Sequence, residues 1–322
     1  MDREHPLRPI KYVLPYWTIL TTRPNITIPA ADKSPFIVAH EFFDALPIHA
    51  FQSVPPNPNA HEQDTIQTPT GSHKLKASIT KQSKQAITPQ WRELVVSPTP
   101  PDSTHNTLST PKSQQAANAP PEFQLTLSKT STPHSLYLPE LSARYRALKN
   151  SPGSVIEISP ESHTYVSEFA KRIGGSKEQP KPSPSGAALI LDYGPSSTIP
   201  VNSLRGIKNH ARVSPLSEPG LVDVSADVDF TALAEVALNA SEGVEVHGPI
   251  EQGMFLEFMG IKQRAEMLMK GMGKEEEKKS VEGAWKRLVD RGGSGMGKVY
   301  KVLAILPEGG GRAPVGFGGD VQ

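Results

Sequence analysis

Ala187-Ala-Leu-Ile-Leu-Asp-Tyr-Gly194 is the stretch on which the fold turns. A continuous apolar run closed by an aspartate reads as a strand buried on both faces of a parallel sheet. Phe36-Ile-Val-Ala39 is a second, shorter buried run, leaving through His40-Glu-Phe-Phe-Asp44 into a turn and a helical or irregular segment that stops near Pro47. Further strands are expected at Trp91–Val96, Phe123–Leu127, Gly153–Ile158, Val222–Phe230, Gly243–His247 and Lys298–Leu306. Helices are expected from Ser162 to Ile173, behind Pro160-Glu-Ser-His, then at Glu251–Met259, and in a second segment reaching about Met269. A charged helix, Glu275–Asp290, places its acids first and its bases later, as the helix dipole favours. Strands alternating with helices predict an α/β sheet.

Around this frame the composition thins. The chain has 322 residues, 32 of them proline, and only 36% are hydrophobic, so part of it lies outside any core. Residues 53–121 are rich in Pro, Ser, Thr, Gln and Asn, and predict a mobile low-complexity insertion carrying one strand island. The resulting division is an N-terminal remnant (1–52), the insertion (53–121), the C-terminal part of the domain (122–307) and a Gly-rich flexible tail (308–322). A net charge of +1 gives no field for nucleic acid, and a nucleic-acid partner is not expected. Without cysteine there is no disulfide scaffold, thiolate catalysis or cysteine-ligated metal. No apolar run approaches the roughly 18–20 residues of a membrane-spanning helix, and the first thirty residues carry no evident targeting signal.

In open α/β sheets ligands gather at the carboxyl ends of the strands, which singles out His40, Glu41 and Asp44 after the first run and Asp192-Tyr193-Gly194 after the second. Gly194 would let the chain turn sharply there. Glu41 and Asp44 also suit a helix N-terminus, and Asp192 a strand-end cap. The histidines show no HxH or HxxxH spacing, so no metal site is predicted, and the motifs of serine hydrolases, P-loop NTPases and zincins are lacking. Neither glycine cluster before the tail, Gly271-Met-Gly273 nor Gly292–Gly297, follows an apolar strand as a nucleotide-binding turn must.

Several segments together resemble the MidA-like family of class I methyltransferases. They are Ala39-His-Glu-Phe-Phe-Asp-Ala-Leu-Pro-Ile-His49, Glu157-Ile-Ser-Pro160, Leu191-Asp-Tyr-Gly194, Ser203-Leu-Arg-Gly206 with His210, and Pro219-Gly-Leu-Val-Asp-Val-Ser-Ala-Asp-Val-Asp-Phe230. Gln252 with Phe255-Leu256, Gly260-Ile261, and Met296-Gly297 with Val302-Leu303 complete the match in family order. The resemblance implies a seven-stranded, Rossmann-like sheet that binds S-adenosyl-L-methionine. It further implies a mitochondrial matrix location and symmetric dimethylation of an arginine on a core subunit of respiratory complex I, in complex I assembly. For such chemistry Glu41 is the expected guanidinium clamp and Asp44 its support. His40, Asp192, Tyr193, Arg205 and His210 shape the substrate side, with Asp192 and Tyr193 on the opposite wall. Family members carry a glycine-rich cofactor turn ahead of the AHEFFD segment, and no glycine precedes Gly71 here. The cofactor-binding residues therefore stay unassigned. The sequence predicts a sheet truncated in its N-terminal half that binds cofactor weakly or not at all, and the alternative to an enzyme is an inactive fragment or a scaffold that binds a complex I subunit without methylating it.

Overall fold

The computed structural model describes residues 34–56, 65–68, 71–74, 88–99, 122–209, 211–293 and 295–319. The principal sheet has four strands in the order β1 (Phe36–His40), β8 (Ala187–Tyr193), β13 (Tyr300–Pro307), β12 (Val244–Glu251). β1 runs parallel to β8 with Phe36 opposite Ala187, whereas β13 is antiparallel to both β8 and β12. The sheet is mixed rather than wholly parallel, and its strands are covered less evenly than their apolar sequences predict. In β8, Ala188, Ile190 and Asp192 are fully buried on one face while Leu189 and Leu191 on the other are only half-buried. In β1, Ile37 and Ala39 are buried, but Phe36 and Val38 are 82% and 69% exposed. An apolar run shows that a strand can be covered on both faces, and packing decides whether it is.

Two helices build the core on the covered face. The first, Pro160–Gly174, starts where Ser159 caps the Ser162 amide and Pro160 takes the first helical position. Its Val166, Phe169, Ala170 and Ile173 recur at helical spacing and bury together. The second, Phe230–Ala240, corrects the strand expected through Phe230. Only Asp223–Ser225 is strand (β11), and Asp229 then caps the helix by accepting from the Ala232 amide at 3.0 Å. Phe230, Leu233 and Ala237 join Ile37, Ile190, Leu303 and Ile305 in one core. On the far side of the sheet, Gln252–Phe258 packs on β12 and β13 and leads into Ile261–Lys270 and Glu275–Val289, close to the expected bounds.

A second sheet is antiparallel, in the order β6 (Phe123–Leu127), β5 (Gln90–Pro98), β2 (His49–Val54), β7 (Val155–Ile158). The strand expected as an island is thus β5, interior to a sheet, and the residues after Pro47, where no strand was expected, form β2. Phe51, Trp91, Ile156 and Ile158 pack there on Leu138 and Tyr145, which come from a short helical run at 133–148. Two more strands inside the insertion, β3 (Thr65–Thr68) and β4 (Gly71–Lys74), pair as a hairpin, and β9 (Arg205–Lys208) lies between β10 (Ala211–Val213) and β11. In the C-terminal stretch, Phe317 lies against Phe255, with ring centroids 5.4 Å apart.

Candidate active site

The carboxyl ends of β1 and β8 lie side by side, and the chain leaves β1 under tight constraint. Asp192 is fully buried at the end of β8. Its Oδ2 accepts the backbone N–H groups of Phe42, Phe43 and Asp44 at 3.1, 2.9 and 3.3 Å, and Oδ1 that of Tyr193 at 2.8 Å. Burial, reinforced by nearby Asp44, pushes the Asp192 carboxyl up to about 7 against the pull of those amides. Asp192 is therefore the bracket beneath the turn and not one of the cleft's walls. No helix starts at Glu41, so its acidity caps nothing. Instead Glu41 sits at φ +47, a left-handed conformation that a glutamate adopts only where its surroundings impose it.

Glu41, Asp44, Tyr193 and Arg205, all singled out in the sequence, line one open cleft of about 1110 Å³ together with Asp227, Glu251, Arg291 and Lys301. Tyr300 donates from its hydroxyl to Glu41 Oε1 at 2.5 Å and also bonds the Tyr193 hydroxyl. Burial, then the bond to Glu41, raises the Tyr300 hydroxyl far above the usual phenol range, so it stays a donor. The Arg205 guanidinium stands 5.2 Å from the Tyr193 ring centroid and donates to Asp227 Oδ1 at 2.5 Å. Behind it, buried Glu157 accepts from the Ser203 amide at 2.9 Å and from the Ser203 hydroxyl, and that oxygen in turn accepts the Asp227 amide at 2.8 Å. The Glu157, Ser203 and Asp227 segments, far apart in sequence, thus form one support for Arg205. Burial, with Glu41 beside it, raises the Asp44 carboxyl. His40 is exposed, with its ring 6.5 Å from that of Tyr300, and His210 lies outside the described residues.

Tyr300 is the residue the sequence reading missed. It opens β13, and only the antiparallel register that sets it opposite Tyr193 brings it to Glu41.

Residues 9–250 match a family model described as "Putative S-adenosyl-L-methionine-dependent methyltransferase". The chain belongs to this MidA-like methyltransferase family. It is 28% identical over 271 residues to the Drosophila melanogaster protein named protein arginine methyltransferase NDUFAF7 homolog, mitochondrial, covering 84% of this chain and 47% of that one. To the Homo sapiens protein named protein arginine methyltransferase NDUFAF7, mitochondrial, it is 26% identical over 272 residues, covering 84% of this chain and 45% of that one. The chain spans about half the length of these curated relatives. Its fold is similar to that of a Burkholderia thailandensis superfamily member crystallised with S-adenosyl-homocysteine, with a TM-score of 0.52 and 18% identity over 89% of this chain and 58% of that one.

The family's cofactor, S-adenosyl-L-methionine, finds part of a site among the described residues. A groove of about 250 Å³ beside β1 is lined by Ile37, Val38, Ala39, His40, Glu41, Phe42 and Phe169, which gives an apolar wall ending in a carboxylate. The backbone donors at that strand end are already committed, Glu41 to the Leu191 carbonyl and the next three to Asp192. Glu41 lines both this groove and the large cleft.

Proposed function

We propose that this chain takes part in S-adenosyl-L-methionine-dependent methylation of a protein arginine. The observation that carries the reading is the position of Glu41, which lines both the groove beside β1 and the cleft that also holds Asp44, Arg205 and Asp227. A guanidinium is planar and permanently charged, and carboxylates fix it by taking its N–H groups. Glu41 has one oxygen held by Tyr300, and among the described residues its other oxygen has no partner. Asp44 lies in the same wall, and a cation between the two would relieve both burial and repulsion. When bound, the cofactor supplies an electrophilic methyl. The chain's own residues hold the guanidinium still, and Asp44, whose proton affinity is raised, takes the proton that the substituted nitrogen releases.

The names of the relatives support a mitochondrial location, and the resemblance to complex I assembly factors supports symmetric dimethylation of a core complex I subunit. The test is transfer of labelled methyl from S-adenosyl-L-methionine to an arginine peptide, with Glu41→Gln beside wild type. Label on arginine that falls at least about 100-fold in the variant supports the reading, and equal transfer by the two proteins removes Glu41 from it. A second reading rests on the committed backbone donors and on exposed Phe36 and Val38, which among the described residues leave the cofactor one wall. In that reading the chain is a scaffold that binds the arginine-bearing partner without methylating it, and binding without transfer is its signature.

A further inference from the structure

Outside the cleft, three side chains from three separate elements converge over the two central strands of the second sheet. They are His49 at the start of β2, Glu93 inside β5 and His134 in the helical turn Pro133–Tyr137. Their candidate ligand atoms all lie within 4.8 Å of one another. His49 Nδ1 is 2.7 Å and His134 Nδ1 3.7 Å from the same oxygen, Glu93 Oε1, and the two imidazole centroids are 4.1 Å apart.

The geometry points to a divalent transition-metal site, with Zn²⁺ as the fitting ion. A tetrahedral zinc with bonds of roughly 2.0–2.1 Å needs ligand atoms about 3.4 Å apart, and the distances of 2.7 and 3.7 Å bracket that value. To close the site the His49–Glu93 pair opens by about 0.7 Å and the His134–Glu93 pair closes by about 0.3 Å, within the reach of side-chain rotation. Two imidazoles and a carboxylate form the borderline nitrogen and oxygen set that zinc takes. Of the two rings, only that of His49 is within hydrogen-bond distance of Glu93 Oε1, and the His134 ring beside it, tilted by 48° to that of His49, has its Nδ1 3.7 Å from the same oxygen, so one shared cation would engage all three groups. Glu93 is also oriented from behind, because Thr132 donates its hydroxyl to Oε2. Thr132 caps the helical turn that carries His134, so ligand and support arrive on one element. The side chains of Glu93 and His49 are 10% and 25% exposed but that of His134 is 55% exposed, which leaves an entry path and an open position for water.

Such an ion ties β2, β5 and the 133–137 turn together. Spacing rules missed it because they register ligands on one helix or strand, and these stand 44 and 41 positions apart. The test is calorimetric titration of the chelator-treated full chain with ZnCl₂, with Co²⁺ absorption as a second readout. One equivalent binds at micromolar or lower concentration and raises the melting temperature. His134→Ala, a change at a solvent-facing side chain, weakens binding by more than about tenfold. His134→Cys restores it and adds a thiolate-to-cobalt band, readable because the chain has no other cysteine. The proposal fails if wild type takes up no stoichiometric zinc, or if His134→Ala binds it as tightly, which would assign the ion to other histidines.

Discussion

The buried carboxyl of Asp192 makes stability depend on pH in a direction that can be worked out in advance. In the unfolded chain this group titrates near 3.8, and in the fold burial and Asp44 raise it to about 7. Between those values the folded state holds a proton that the unfolded state has lost. Its contribution to stability is therefore fully present below about pH 4 and disappears as pH rises through 7. The gap is roughly 3 pH units, each worth about 1.4 kcal/mol, and between pH 5 and pH 8 the loss integrates to about 2.5 kcal/mol. Asp192→Asn keeps a carbonyl for the amides of Phe42, Phe43 and Asp44 but cannot titrate. Its amide group then faces the Tyr193 N–H, a mismatch that costs about 1–3 kcal/mol equally at both pH values. Urea unfolding of wild type and variant at pH 5 and pH 8 separates the effects. Wild type should lose about 2.5 kcal/mol more than the variant across that interval. Parallel pH profiles, within about 0.5 kcal/mol, would show that Asp192 is ionised in both states and that the four amides outweigh burial.

Three other substitutions probe the frame and the site. Asp229→Ala removes the cap of helix Phe230–Ala240 and leaves the buried Tyr145 hydroxyl, 3.0 Å away, without its acceptor, so denaturant unfolding should show a loss of about 2–4 kcal/mol. Gly194→Ala would place a Cβ 2.3 Å from the Val228 carbonyl oxygen at φ +155, and thermal melting should fall by several degrees, corresponding to about 2–4 kcal/mol; an unchanged melt would contradict the close approach. Tyr300→Phe releases Glu41, and on the proposed function kcat/KM for an arginine peptide should fall about tenfold, the equivalent of one hydrogen bond, while unfolding stability changes far less than for Asp229→Ala.

Much of the frame was legible because local pattern and packing agree in it. Val166, Phe169, Ala170 and Ile173 announce a helix face, and the run at Ala187 announces a strand, whatever packs against them. What escaped depends on partners distant in sequence. His49–Val54 follows a proline and runs into a proline-rich stretch, and becomes a strand because β5 and β7 flank it. Val222–Phe230 alternates like a strand, yet Asp229 sits one residue before a face of Phe230, Leu233 and Ala237, and that cap decides. Glu41, Asp44 and Tyr193, singled out by strand ends and family segments, and Arg205, by a family segment alone, line one cleft. Asp192 takes the capping task that the sequence offered beside the wall task, but its neighbours along the chain do not reveal that its oxygens face the amides of a turn some 150 positions away. Tyr300 carries no local mark at all, and register alone delivers it to Glu41.

On the proposed function the carboxylate of Glu41 receives a guanidinium. Fluorescence-anisotropy titration of two labelled peptides, identical except that one carries arginine and the other citrulline, tests it most directly, because citrulline keeps the shape and removes the charge. Wild type should bind the arginine peptide at least about tenfold more tightly, and Glu41→Gln should abolish the difference. Equal affinity of wild type for the two peptides would contradict it.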